Sequence, residues 1–166
     1  ARVTYAELDR RVLRMAVGLL AGEADLQEAR VAFLIPASVD YVTVLHGIWR
    51  AGGIAIPLNV AATEPEWEHC LTSAGVTRVI TTSDHRDSIQ GLCDRLAIPL
   101  GEVDEFEVDG LGPLPNLTPE RRAMIVFTSG TTSKPKGAVT THGNIAAQIT
   151  TLIDAWAWQS DDVIPL

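Results

Sequence analysis

A chain of 166 residues, 46% of them hydrophobic, can bury one sizeable core, which excludes a disordered or fibrous protein and favours a single domain. Its 13 basic and 21 acidic residues leave a net charge of −8, which repels nucleic acid and anionic membranes unless a local patch overrides it, and the sequence shows no basic cluster outside one loop. No apolar run approaches the roughly 20 residues of a bilayer span, and Cys70 and Cys93 have no metal-ligand spacing, so a soluble cytoplasmic protein with reduced thiols and no metal set of its own is expected.

Thr4 followed by Glu7 forms a capping box, and Leu8, Val12, Leu13, Met15, Ala16 and Leu19 continue at helical spacing towards Gly22. Residues 31–35 are a wholly apolar run stopped by Pro36, as suits a strand covered on both faces of a parallel sheet. Ser38 caps a helix through Arg50 that Gly52 and Gly53 close, and residues 54–57 form the next strand. Thr63 and Glu66 repeat the capping box ahead of a helix to Ala74, a β-branched run covers 78–82, and a helix runs from Asp84 to about Ala97. Residues 101–119 are rich in Gly, Pro, Asp and Glu and read as an irregular excursion before the sheet resumes. Strands over 123–128 and 138–141 follow, then a helix over 143–157 carrying Ile145, Ile149, Leu152 and Ile153 on one side. This alternation predicts an α/β fold: a doubly wound, three-layer αβα sandwich with a mostly parallel sheet and right-handed crossovers. The chain opens on Ala1 rather than methionine and closes in an extended apolar run over 163–166, so 1–166 reads as one α/β subdomain of something longer.

The chemistry concentrates between the last two strands, in Thr128, Ser129, Gly130, Thr131, Thr132, Ser133, Lys134, Pro135, Lys136 and Gly137. Both lysines of the chain lie here, the other eleven basic residues being arginine, so this loop favours a compact ammonium over a planar fork. A loop leaving the carboxyl end of a buried strand is where α/β sheets place ligands. Five hydroxyl side chains, two glycines able to take positive φ and bring N–H groups close, and two lysines make a polyphosphate cradle. It is not a Walker A loop: aligned from Gly130, Pro135 takes the place of the second glycine, Gly137 replaces the hydroxyl residue after Lys136, and a strand follows instead of a helix. Ser129 lacks the G-x-S-x-G elbow and any identifiable Asp/His pair, so it is no nucleophile. His142 is a possible pocket residue, the simpler reading being a polar group at a helix start with Asn144 as cap. Trp49, Trp67, Trp156 and Trp158 read as packing residues, and Asp161 with Asp162 as a turn.

Residues 127–137, with His142-Gly143-Asn144, the passage Ala51-Gly-Gly-Ile-Ala-Ile-Pro-Leu58 and the first helix from Thr4, resemble the adenylate-forming (AMP-binding) enzymes, which include acyl-CoA synthetases and peptide-synthetase adenylation domains. The resemblance covers the whole chain and implies the amino-terminal part of a larger AMP-binding domain. It implies ATP with Mg2+, a small carboxylic acid and coenzyme A as reactants, the loop wrapping the β- and γ-phosphates with Lys136 neutralising charge. No nucleic-acid partner and no membrane insertion are implied. Catalytic residues, and those holding adenine and magnesium, are expected beyond Leu166, so the fragment alone should be inactive. The run Ile145-Ala-Ala-Gln-Ile-Thr-Thr-Leu152 with Ala155-Trp156, and the passage from Arg50 to Leu58, are most similar to malonyl-CoA synthetases. Ser133 stands where the family usually has glycine, at a steric cost of about 1–2 kcal/mol if that position needs positive φ. Two rivals are a peptide-synthetase adenylation domain and a non-catalytic nucleotide-binding module.

Overall fold

The structure is a computed structural model and describes residues 2–110, 112–128 and 135–162. The first helix, α1 (Tyr5–Leu20), starts where Thr4 Oγ1 accepts from the Glu7 N–H at 3.2 Å while the Glu7 carboxylate accepts from the Thr4 N–H at 2.7 Å. That exchange satisfies two backbone donors a helix otherwise leaves unpaired. Ala21 ends α1 in a left-handed conformation. There follow β1 (Arg30–Leu34), α2 (Val39–Arg50), β2 (Ile54–Pro57), α3 (Glu64–Ala74), β3 (Arg78–Thr81) and α4 (Ser83–Leu96). Then come β4 (Leu100–Glu102), α5 (Val103–Phe106), β5 (Arg122–Thr128), β6 (Lys136–Thr141) and α6 (His142–Trp156).

The strands form one sheet in the order β4-β3-β1-β2-β5-β6. Every pairing is parallel except that of β5 with β6, which form an antiparallel hairpin. Because side chains alternate along a strand, β1 sends Val31 and Phe33 to one face, into a core with Met15 and Leu19 of α1 and Val44 and Ile48 of α2. Ala32 and Leu34 go to the other, against Leu71 of α3 and Ile89 and Leu92 of α4. Burial on both faces explains why β1 is wholly apolar after Arg30. The layers are thus α1 and α2, the sheet, and α3 and α4, as the doubly wound reading requires.

The expectation for residues 101–119 needs correction. This segment is not irregular throughout: β4 extends the sheet beside β3, and α5 begins a strap laid across α1. Arg11 holds Glu107 in a bidentate grip and donates to Asp40 at 2.7 Å, while Arg14 donates to the carbonyls of Val108 and Glu107, both at 3.1 Å. The Glu107 carboxylate, and after it Asp40, hold the Arg11 guanidinium above its ordinary pKa. The strap lies so close that a Cβ on Gly18 would stand 2.0 Å from the Phe106 carbonyl oxygen. Arginines separated in sequence also gather: Arg2, Arg10, Arg11 and Arg14 line a shallow hollow on α1. It is not a free basic patch, since Asp40, Glu107 and Asp109 neutralise Arg11 and Arg14.

The hairpin is moored at its lower end. Arg121 pairs with Asp25 through two bonds of 2.6 and 2.8 Å and donates to the Gly52 carbonyl at 2.8 Å. Arg122 pairs with Glu28, and Trp49 Nε1 donates to the Ala123 carbonyl at 2.7 Å. Helix α6 follows β6 but buries none of its residues, leaving Ile149, Ile153 and Trp156 exposed. Trp156, expected to be a packing residue, is exposed and meets only the tilted ring of Trp158, with centroids 5.2 Å apart, among the described aromatic pairs.

Candidate functional site

The chain leaves β1 for α2 on one face of the sheet and leaves β2, its neighbour, for α3 on the other. A crevice therefore opens beyond the carboxyl ends of β1 and β2, the topological switch point where such sheets take ligands. It holds a cavity of about 490 Å³ walled by Ile35 and Ala37 after β1, Leu58 and Asn59 after β2, Trp67 of α3, and Phe127 with Pro135 from the hairpin.

Asn59 and Glu66, polar residues lining this cavity, are engaged in local structure. Asn59 uses its side-chain oxygen to accept from the Ala61 N–H at 3.0 Å and its carbonyl to accept from Trp67 Nε1 at 2.9 Å. Glu66 accepts from the Thr63 N–H at 2.7 Å, and that bond keeps its carboxyl below the usual range. Burial pushes the Tyr41 hydroxyl and the Cys70 thiol up, and Cys93, deeper in the core, is pushed to about 11. Thiols so placed stay protonated at neutral pH and are poor nucleophiles. The described walls offer mainly shape and apolar contact, and the thiol among them, that of Cys70, is held protonated.

Charge must come from the loop at the top of the hairpin. Of the ten residues of the predicted cradle, Thr128, Pro135, Lys136 and Gly137 are described, while Ser129, Gly130, Thr131, Thr132, Ser133 and Lys134 lie outside the described residues. Thr128 pairs with Lys136 and Phe127 with Gly137 as the last described rungs of the ladder, so the two stems stand side by side at the cavity mouth. Strand β6 begins at Lys136, two residues earlier than its sequence suggests. Gly137 does not take positive φ. Its lack of a side chain answers a steric need, since a Cβ there would meet Ile125 Cγ2 at 2.9 Å and the Phe127 ring at 3.3 Å.

His142 lies elsewhere. Because β6 runs antiparallel, its carboxyl end returns to the bottom of the sheet, so His142 does not line the switch-point cavity. There its ring stands edge-on to Trp49, with centroids 6.0 Å apart, and its backbone N–H donates to the Arg121 carbonyl at 3.0 Å. Burial, then the nearby Arg121 charge, lowers its pKa and favours the neutral ring. Asn144 is half of a capping box: Thr141 is the cap, accepting from the Asn144 N–H at 3.1 Å and donating its own N–H to Asn144 Oδ1 at 3.0 Å. The structure instead brings His69 of α3 to the hairpin, with Nε2 2.8 Å from the Pro135 carbonyl oxygen. A sequence separation of 66 residues gave no signal of this contact. Among the described residues no group of three or more His, Cys, Asp or Glu could hold a metal ion. No described helix is long and apolar enough to cross a membrane.

Comparison with known proteins follows the same lines. The sequence profile of the family described as AMP-binding enzyme matches residues 1–166. The mouse mitochondrial malonate–CoA ligase is 36% identical over 172 residues, covering 97% of this chain and 30% of the relative. A feruloyl-CoA synthase from an Amycolatopsis species is 37% identical over 145 residues, covering 86% and 29%. MatB from Rhodopseudomonas palustris, in its ATP-bound crystal structure, superposes with a TM-score of 0.85 at 28% identity, covering 98% of this chain and 34% of that one. The chain therefore spans about a third of the length of the proteins it matches.

Proposed function

We propose a function from the fact that this chain belongs to the AMP-binding enzyme family: the protein is an ATP-dependent acid–thiol ligase, and residues 1–166 supply its phosphate loop. In the first step a carboxylate oxygen bonds to the α-phosphorus of ATP as the bond to the bridging oxygen breaks, releasing pyrophosphate. In the second a thiol sulfur, that of coenzyme A, bonds to the acyl carbon; AMP departs with the bonding pair, and the thiol proton passes to solvent.

The observation that carries this reading is the placement of Thr128 and Lys136 as facing stems of a hydroxyl- and lysine-rich loop beside the switch-point cavity. Such a loop stabilises negative charge and holds the leaving pyrophosphate in line, without acting as nucleophile or base. Thr128, Ser129, Thr131, Thr132 and Ser133 would donate hydrogen bonds, Gly130 and Pro135 shape the turn, and Lys134 and Lys136 supply charge. Each charge-assisted bond contributes roughly 1.5–3 kcal/mol. Mg2+ arriving with ATP would supply further positive charge against the phosphates that the hydroxyls and lysines of this loop would hold. This chain's donor set fits the phosphate side of such a complex, and the carboxylates for the metal would come from elsewhere.

Malonate heads the candidate acids, because the mouse malonate–CoA ligase is 36% identical to this chain. The buried, reduced Cys70 and Cys93 accord with a reducing compartment, and we place the enzyme in the cytoplasm. Carboxylate-dependent ATP–pyrophosphate exchange on the full-length enzyme, with malonate, short-chain acids and hydroxycinnamates, tests the reading. Exchange with at least one acid, followed by release of a free CoA thioester, supports it. Retention of the product on a carrier domain would select the peptide-synthetase reading, and ATP binding with no exchange for any acid would select the non-catalytic module.

A further inference from the structure

We propose that His69 is a positioning residue for the phosphate loop, an inference that rests on the phosphate-loop reading above. A carbonyl oxygen only accepts, so the 2.8 Å contact between His69 Nε2 and the Pro135 oxygen requires the imidazole to carry its proton on Nε2 and donate it. Pro135 is the residue between Lys134 and Lys136. It stands just outside the described ladder, whose last rung is Thr128 with Lys136. The exit of the loop is thereby tied to a different element of the fold.

That element is rigid. Helix α3 is capped by Thr63 and Glu66, its Leu71 is fully buried, and Trp67 is tied to the Asn59 carbonyl. The His69 ring is also fixed sideways, lying edge-on to Phe127 with centroids 6.1 Å apart at 76°. Phe127 precedes Thr128, the entry of the same loop, so one imidazole touches the loop's outgoing stem with its nitrogen and the incoming stem with its ring. Proline's fixed φ passes that constraint on to Lys136. A group held by packing on a helix positions a site more precisely than the loop could unaided. His69 thus fixes Pro135 at the exit of the loop and sets the direction from which Lys136 leaves.

Two substitutions separate the nitrogen from the ring. His69→Phe keeps the edge contact and removes the donor; His69→Gln keeps a donor near the position of Nε2 and removes the ring. Calorimetric titration of the full-length enzyme with ATP and with AMP is the readout, because only ATP presents the β- and γ-phosphates to the loop. We expect His69→Phe to weaken ATP about 2- to 12-fold, the size of one hydrogen bond, with AMP affinity unchanged, and His69→Gln to restore most of the loss. Equal weakening of ATP and AMP, no weakening of either, or His69→Gln as impaired as His69→Phe would overturn the proposal. Titration needs no turnover, so the ligase reading can fail by showing no pyrophosphate exchange while this result still stands. A wild-type enzyme that binds no ATP at all would end both.

Discussion

The strap across α1 predicts that one substitution has opposite signs at two helical glycines. Gly91 lies in the interior of α4, where a Cβ would meet nothing within 4 Å, so Gly91→Ala should stabilise the protein by the ordinary helix-propensity gain, about 0.5–1 kcal/mol. Gly18 also lies inside a helix, but its Cβ would stand 2.0 Å from the Phe106 carbonyl oxygen and 2.8 Å from its carbon. A carbon–oxygen contact settles at about 3.3–3.6 Å, so the strap must retreat by roughly 1 Å or more. That motion stretches the bonds from Arg14 to the Val108 and Glu107 carbonyls and the grip of Arg11 on Glu107. Neutral hydrogen bonds contribute about 1 kcal/mol and charged ones about 1.5–3 kcal/mol, so partial loss of three leaves a net destabilisation of about 2–4 kcal/mol after the helix gain. Urea unfolding, read as a shift in midpoint at unchanged slope, measures both variants. A Gly18→Ala protein unfolding at the wild-type midpoint or above would refute the claim that the strap lies against α1.

Lys136→Ala should raise KM for ATP about 10- to 150-fold, the loss of one charge-assisted contact, and by more than Lys134→Ala does. Steady-state kinetics with saturating acid measure this, and equal losses would show the phosphate contact misassigned. Asp25→Asn should destabilise by about 1.5–3 kcal/mol at pH 7, because it removes the charge that Arg121 grips. Arg121 lowers the Asp25 pKa, so the stabilisation is present above the unfolded value of about 3.9 and is lost as pH falls through the depressed folded value. The gap between wild type and variant should therefore close in acid, and a penalty independent of pH from about 7 to 3 would count against the pair.

Periodicity and caps carried most of the fold. The capping boxes at Thr4 and Thr63 satisfy donors within three residues, and the apolar run of β1 reports burial on both faces; such local signals survive in one dimension. What failed was long-range. β4 has only three residues, one of them a glycine, so it exists by pairing with β3 rather than by its own propensity. The strap is held by Arg11 and Arg14 from 96 and 93 positions away. In the candidate site, the loop was visible as composition, but the reason for Gly137 lies in Ile125 and Phe127 on the facing strand, and the part played by His69 depends on how α3 crosses the hairpin. His142 went astray because the antiparallel turn of β6 carries it to the opposite end of the sheet from the residues that precede it.

The strand order has a consequence for how the chain is made. β5 takes its place beside β2, yet Arg122 follows Pro57 by 65 residues. On a ribosome adding roughly 5–20 residues per second, the apolar edge Ile54-Ala55-Ile56 waits about 3 to 13 s for its partner, time in which it is a template for the wrong strand. The phosphate loop follows β5 in the chain, so it is completed only once that edge has its partner, and a nascent chain that aggregates through the bare edge does so before this loop could meet ATP.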